Sequence, residues 1–155
     1  LLLVSSNPTA QSDRFAEFKR KTISEILLDP KVKRVVIGDP RSVPVGQYAR
    51  EVLTRLNVWE RLQGKLIFAQ NARQVVEYLR RKEVDIGLTY ATDWFRLLSH
   101  LQHREIESKL YSPIHYPIGV TAKGEGRDGV EHFYKFLLSA QSRRIFTRYG
   151  FADGP

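Results

Sequence analysis

The stretch GDPRSVPVGQYAREVL, Gly38–Leu53, decides the interpretation of the fold, because it joins a buried strand to an amphipathic helix through an unusual turn. The preceding run, Arg34–Gly38 (RVVIG), has the short apolar pattern of a buried strand. Apolar residues then recur at helical spacing at Val45, Tyr48, Ala49, Val52, Leu53 and Leu56. Pro44 stands near the first helical turn, where its missing N–H costs little. The other first-turn N–H groups have no partner inside the helix, so water, side-chain caps or a bound anion must satisfy them.

The same rhythm of a strand followed by a helix recurs along the chain. Further strands are predicted at Leu1–Ser5, Lys65–Ala69, Val84–Tyr90, Ile106–Tyr111 and His115–Thr121. Further helices are predicted at Phe15–Leu28 with a break near Lys21-Thr22, at Trp59–Leu62, from Ala72 after the N-cap Asn71, at Thr92–Leu101, from Val130 to Leu138, and at Ser142–Tyr149. This alternation predicts an α/β fold with a mostly parallel sheet flanked by helices.

Composition excludes several classes of protein. The 155 residues are 42% hydrophobic, enough for one domain or two small lobes with a substantial core. The net charge is +8, but the lysines and arginines are scattered and not interleaved with aromatic residues, so we expect no nucleic-acid partner. The lack of Cys excludes disulfides, thiol catalysis and thiolate metal sites. The chain also lacks Met, so we expect that translation starts elsewhere, and the N-terminus cannot show the location of the protein.

The remaining chemical motifs are weak. His100 and His103 have helical i, i+3 spacing but no evident third ligand, so we interpret them as surface histidines and expect no metal site. The glycines of GEGRDG, residues 124–129, match a dinucleotide fingerprint, but no acidic residue follows at the required distance, so this segment is interpreted as a loop. No Ser/His/Asp order or nucleophile elbow is visible, so we expect neither an enzyme nor a cofactor.

Three junctions between a strand and a helix stand out, at Gly38–Gly46, Phe68–Arg73 and Thr89–Asp93. In open α/β sheets, ligands bind beyond the carboxyl ends of the strands, where all three junctions should lie. Two junctions offer helix N-termini and the third offers the phenol of Tyr90. Such neutral hydrogen-bond donors suit an anion. The alternative is that these are ordinary α/β junctions and that Tyr90 only covers the core.

Five segments resemble the periplasmic molybdate-binding proteins of ABC transporters, in the same order and at the same spacing. They are DPRSVPVGQYAREVL, QNARQVVEYL, VDIGLTYATD, YPIGVTAK and FYKFLLSAQSRRIFTRYGF. The resemblance covers Leu1–Phe151 and implies a type II periplasmic-binding-protein fold. It also implies capture of molybdate or tungstate for an ABC permease in the membrane. The implied location is periplasmic, or extracytoplasmic and membrane-associated.

The resemblance further implies three oxyanion-binding residues. Val45 matches a backbone N–H donor in the family's Val-Pro-Ala-Gly pattern, and Ala72 matches a second one in its Asn/Asp-Val-Arg pattern. Tyr90 matches the ligand-binding phenol of its Ile-Val-Tyr-x-x-Asp pattern. Val45 and Ala72 are not the commonest residues there, but we expect little effect because the backbone binds the ligand. Asp93 is predicted to be a cap or a residue that orients Tyr90.

The resemblance also predicts how the chain is divided. Residues 1–6 form a crossover strand, residues 7–114 the second lobe, and residues 115–155 a return strand and C-terminal helices. The family's first lobe, which carries two ligand-binding serines and packs on those helices, should precede residue 1 and is largely missing. We therefore expect the helices either to contact that lobe or to drive self-association, through the apolar side chains of Phe133, Phe136, Leu137, Ile145 and Phe146.

Two other function classes share this architecture. One is an effector domain of a transcription regulator that senses an oxyanion or another small ligand, which an upstream helix-turn-helix would support. The other is an enzyme, which would need a catalytic acid or base in the cleft. The sequence does not rank molybdate, tungstate and sulfate.

Overall fold

A computed structural model describes residues 1–8 and 18–152 of the chain. The chain divides into two compact units, Leu1–Pro113 and Ile114–Pro155, called here the first and the second unit. The start of the helix predicted at Phe15 falls outside the described residues. None of the described helices is long and apolar enough to cross a membrane.

The first unit contains a five-stranded sheet. The strands are β1 (Leu2–Pro8), β2 (Val35–Gly38), β3 (Leu66–Ala69), β4 (Ile86–Thr89) and β5 (Leu101–Glu105), in the order β3-β2-β4-β1-β5. β2 pairs in parallel with β3 and β4, whereas β1 is antiparallel to both β4 and β5. Four strands therefore run in one direction and only β1 opposes them. The predicted sheet flanked by helices is confirmed, and its pairing is mixed because β1 runs antiparallel to both of its neighbours.

Helices of the first unit follow the predicted pattern. They are α1 (Ile23–Leu28), α2 (Pro44–Arg55), α3 (Trp59–Leu62), α4 (Ala72–Arg80) and α5 (Ala91–Asp93), and a π-helix spans Trp94–Leu98. Residues 18–20 are also helical. The predicted break near Lys21-Thr22 is confirmed: Thr22 Oγ1 accepts a hydrogen bond from Glu25 N, and the Glu25 carboxylate accepts one from Thr22 N. This capping box starts α1.

Apolar residues cover both faces of the sheet. Val35 and Ile37 of β2 are completely buried on one face, in a cluster that includes residues of α1 and α2. Val36 is completely buried on the other face, in a cluster that includes Val76 and Leu79 of α4. Because a strand alternates its side chains, a central strand covered on both faces has a continuous apolar sequence, as Val-Val-Ile does here.

The described part of the second unit contains two α-helices, α6 (Asp128–Leu137) and α7 (Ala140–Arg148), after a 3₁₀ turn at Ala122–Gly124. Both agree with the predicted helices within two residues at each end. The strand predicted at His115–Thr121 is wrong, because residues 114–121 adopt no regular secondary structure. A strand forms only where another strand accepts its hydrogen bonds, and these side chains are mostly exposed. The assignment of residues 1–6, 7–114 and 115–155 to lobes stays a prediction.

The region around β5 also differs from the prediction. The helix predicted at Thr92–Leu101 ends in the π-helix at Leu98, and the strand predicted at Ile106–Tyr111 lies earlier, at Leu101–Glu105. Residues 108–110 form a 3₁₀ turn instead. The physical reason is tertiary: β5 pairs with β1, with Leu2 opposite Glu105, and burial of Leu101 anchors the start of the strand.

Candidate functional site

The three predicted junctions lie side by side at one edge of the sheet. β2 and β3 are in register with Gly38 opposite Ala69, and β2 and β4 with Val36 opposite Gly87. The carboxyl ends of these three parallel strands therefore meet at one edge, with β2 in the centre. A backbone hydrogen bond of 2.8 Å from Asp39 N to Ala69 O also links the first junction to the second.

Asp39 organises the first junction. Its carbonyl oxygen accepts hydrogen bonds from Ser42 N (3.1 Å) and Val43 N (2.8 Å). Its Oδ1 accepts from Arg41 N (3.0 Å) and Nε (3.1 Å), and its Oδ2 from Arg41 Nη2 (2.8 Å). The guanidinium and amide of Arg41 lower the pKa of Asp39 to about 2. One residue therefore fixes the turn between β2 and α2.

The Val-Pro-Val-Gly opening of α2 is explained by a close approach of two backbones. A Cβ on Gly46 would lie 2.1 Å from Gly38 O and 2.9 Å from the carbonyl carbon of Asp39. Only glycine fits there, and Pro44 supplies the first helical φ without needing an acceptor. Gly46 N donates to Val43 O (2.9 Å). The Val45 N–H has no hydrogen-bond acceptor within the part of the chain that the structure describes.

The second junction repeats this arrangement at the start of α4. Asn71 is the predicted N-cap, and its Oδ1 accepts from Gln74 N at 2.9 Å. Gln74 Oε1 in turn accepts from Gln70 N at 2.6 Å. The Ala72 N–H has no acceptor among residues 1–8 and 18–152. Each of two neighbouring helices therefore offers a first-turn N–H at the same edge of the sheet.

Tyr90 forms the third junction, directly after β4. Its backbone is extended (φ −71°, ψ 150°), and its carbonyl oxygen accepts from Asp93 N (3.2 Å) and Trp94 N (3.3 Å). The side chain is half-buried. Asp93, predicted to be a cap or an orienting residue, accepts a hydrogen bond at 3.2 Å from Thr89 Oγ1, the completely buried residue before Tyr90. Asp93 thus stabilises the turn that presents the phenol.

The candidate donors at this edge are neutral. Two are backbone N–H groups and the third is a phenol, whereas the nearby Arg41 is paired with Asp39. No group of three His, Asp or Glu residues suited to a metal ion occurs in the described ranges. An array of neutral donors can satisfy the oxygens of an anion without a cationic side chain.

A family model of bacterial extracellular solute-binding proteins matches residues 4–152 of the chain. The chain belongs to this family. Among its solute-binding relatives, the molybdate-binding protein ModA of Escherichia coli (strain K12) is 32% identical over 118 residues, which cover 76% of this chain and 46% of ModA. A protein of Bacillus subtilis (strain 168), provisionally named as the ABC transporter substrate-binding lipoprotein YvgL, is 35% identical over 121 residues, which cover 77% of this chain and 46% of YvgL.

A solved structure shows the same solute-binding fold. It is a substrate-binding domain from Clostridium difficile, provisionally titled as that of a molybdenum ABC transporter, with a TM-score of 0.79 and 30% identity. The match covers 100% of this solute-binding chain and 63% of the other. The chain spans about half the length of the curated relatives it matches.

Sequence reasoning misses two features of this solute-binding protein. The first is the side-chain role of Asp39: the Asp-Pro pair indicates a turn, but it does not predict the hydrogen bonds from Arg41 to the Asp39 carboxylate. The second is the place of His103, which is predicted as a surface residue at helical spacing from His100 but lies half-buried on β5. Its ring centroid is 3.8 Å from that of Trp94, and burial lowers its pKa. No local signal shows this contact, because β5 itself depends on pairing with β1.

Replacing Asp93 with Asn should stabilise the solute-binding fold at neutral pH. Burial raises the pKa of Asp93, opposed by the Thr89 hydrogen bond and by Arg96, so the folded state holds the proton more tightly than the unfolded state. Stability therefore falls as the pH rises above the ordinary pKa of 3.8 and through the folded value. Urea unfolding at pH 3.5 and pH 7 tests this expectation. The gain of Asp93→Asn over wild type should appear at pH 7 and shrink at pH 3.5, and an equal difference at both would contradict it.

Proposed function

We propose that this chain forms one wall of an oxyanion-binding cleft in a protein that captures molybdate or tungstate for an ABC permease. The observation that carries the proposal is the pair of first-turn N–H groups, Val45 and Ala72, without acceptors among the described residues. They lie at neighbouring strand ends, linked by the hydrogen bond from Asp39 to Ala69 and followed on the other side of β2 by Tyr90.

The chemistry suits a tetrahedral dianion. Helix N-termini carry unsatisfied N–H groups and a partial positive charge, and a phenol donates one further hydrogen bond. Because these groups donate, they favour a fully deprotonated anion over a protonated one. Selection against smaller oxyanions such as sulfate is expected to come from the size of the closed cleft.

The relatives support the ligand class. The name of the Escherichia coli relative states that it binds molybdate, and the Clostridium difficile domain is titled for a molybdenum transporter. We extend this to the present chain as binding of the same anions, delivery to a membrane permease, and an extracytoplasmic location. The role is binding and release, and it involves no catalytic step and no cofactor besides the bound anion.

We propose that a further lobe closes the cleft in the full-length protein. The second unit carries apolar side chains that are open to solvent, including Phe133 (60% exposed), Phe136 (37%) and Phe146 (41%). A partner lobe would bury this surface, and without it the surface should drive self-association. An anion facing only one wall would stay largely hydrated, and donors facing water gain little over the water they displace.

Calorimetric titration of molybdate, tungstate and sulfate tests the function in two proteins, the full-length gene product and the 155-residue chain. The full-length protein should bind molybdate and tungstate more tightly than sulfate. The chain alone should bind all three weakly and should exceed the monomer mass in light scattering.

The titrations of the two proteins can contradict separate parts of the proposal. A full-length protein that binds no oxyanion overturns the function. A monomeric 155-residue chain that binds molybdate with a Kd of about 1 μM, near −8.2 kcal/mol, overturns the single-wall interpretation but not the function.

A further inference from the structure

The backbone of Asp39, a residue with a carboxylate, links the two junctions that carry the amide donors of the proposed site. Asp39 donates its N–H to Ala69 O, in the junction that leads to Ala72. Its carbonyl carbon would lie only 2.9 Å from a Cβ on Gly46, the residue after Val45. The Asp39 carboxylate therefore belongs to the first junction, and at about 0.01 M salt, where the Debye length is roughly 30 Å, its charge acts on an anion held there. A negative charge in this place repels the ligand that the amides attract.

Arg41 neutralises this charge in a fixed geometry. Its Nε and Nη2 contact both oxygens of the Asp39 carboxylate, at 3.1 and 2.8 Å, and its backbone N–H adds a third hydrogen bond of 3.0 Å. The Arg41 side chain is 85% exposed. An ion pair this exposed contributes little to folding. We therefore expect the Asp39–Arg41 pair to affect the electrostatic potential at the site more than the stability of the fold.

We propose that Arg41 is a positioning residue that shields the oxyanion site, because its guanidinium cancels the charge of the carboxylate that orders the loop. The inference rests on the proposed function and deepens it. The Asp39 side chain orders the turn through Oδ1, which accepts from Arg41 N, an acceptor role that Asn can also fill, whereas the bonds from Ser42 N and Val43 N go to its backbone carbonyl. Arg41 allows the turn to keep a carboxylate beside a dianion. The affinity of the site then follows the net charge of the Asp39–Arg41 pair.

A charge series in the full-length protein tests the shield by titration with sodium molybdate. The pair has a net charge of −1 in Arg41→Ala, 0 in wild type and in the Asp39→Asn/Arg41→Ala double variant, and +1 in Asp39→Asn. At about 10 mM salt, Arg41→Ala should weaken binding roughly three- to tenfold, because a dianion doubles the Coulomb repulsion from one charge. The double variant should recover wild-type affinity, and Asp39→Asn should bind at least as tightly as wild type.

Salt dependence separates the shield from a structural role. Raising the salt to about 500 mM shortens the Debye length, so the affinities of Arg41→Ala and wild type should converge. Arg80→Ala is the matched control, since Arg80 also pairs with a carboxylate (Glu77, 3.0 Å) but at the far end of α4. It should bind like wild type at both salt concentrations.

Any of the following results would overturn the proposal that Arg41 shields the site. If the double variant binds as weakly as Arg41→Ala, Arg41 contacts the anion directly. If Arg41→Ala loses affinity equally at both salt concentrations, its role is structural. If Arg41→Ala binds like wild type at low salt, the charge of Asp39 does not reach the site. If wild-type protein binds no molybdate, both the proposed function and the shield are overturned. The three results above contradict only the shield.

Discussion

Gly46→Ala is expected to destabilise the first unit by about 3 kcal/mol or more, at the upper end of the cost of overpacking. The added Cβ would lie 2.1 Å from Gly38 O and 2.4 Å from the Gly38 carbonyl carbon. Both are backbone atoms, so no change of rotamer relieves the clash and α2 must move away from the end of β2. That movement also displaces the Val45 N–H, so oxyanion affinity should fall with stability. Urea unfolding followed by circular dichroism measures the first effect.

Gly64→Ala is the matched control for this substitution. Nothing lies within 4 Å of a Cβ at Gly64, which is in a 3₁₀ turn between α3 and β3. The same added methyl group should therefore leave stability within about 0.5 kcal/mol, as expected for a surface change. Equal unfolding midpoints for Gly46→Ala and Gly64→Ala would show that position 46 tolerates a side chain despite the close approach of α2 to β2.

Tyr90→Phe should weaken molybdate binding by the full-length protein roughly ten- to hundredfold and leave the fold intact. Removing the phenol deletes one hydrogen bond to a charged ligand, worth about 1.5–3 kcal/mol. The half-buried ring stays, so the packing around the end of β4 is kept. Calorimetric titration gives the affinity, and thermal unfolding confirms that the variant is folded.

Tyr78→Phe removes a phenol away from the site and serves as the control. Tyr78 is half-buried on α4, where it packs against the cluster around Val75 and Leu79. Its loss should not change molybdate affinity. If Tyr90→Phe binds as tightly as Tyr78→Phe and wild type, Tyr90 does not belong to the site.

The parts of the fold set by local chemistry could be predicted from the sequence. The break at Thr22 and the cap at Asn71 each depend on residues within four positions of one another, and the start of α2 is marked by Pro44 at its first helical position. The common position of the three junctions at one edge of the sheet could also be predicted, because the alternation of strands and helices places the carboxyl ends of parallel strands together.

The errors lie where distant segments decide the structure. β5 forms because Leu101–Glu105 pairs with β1, and the π-helix at Trp94–Leu98 precedes it in a segment whose periodicity resembles an ordinary helix. The binding roles of Val45, Ala72 and Tyr90 came from family resemblance. Their spacing alone shows donors at a sheet edge, and a common sheet edge does not identify a ligand.

The position of β1 has a consequence for how the protein is made. This strand is synthesised before the rest of the sheet, yet it lies between β4 and β5, with Leu2 opposite Thr89 on one side and Glu105 on the other. Translation of a hundred residues takes roughly 5 to 20 s, so β1 leaves the ribosome long before either partner exists. Its non-local ladders make early folding slow. The sheet can therefore close only after Leu101–Glu105 has left the ribosome, so the unit folds late in its synthesis and not strand by strand.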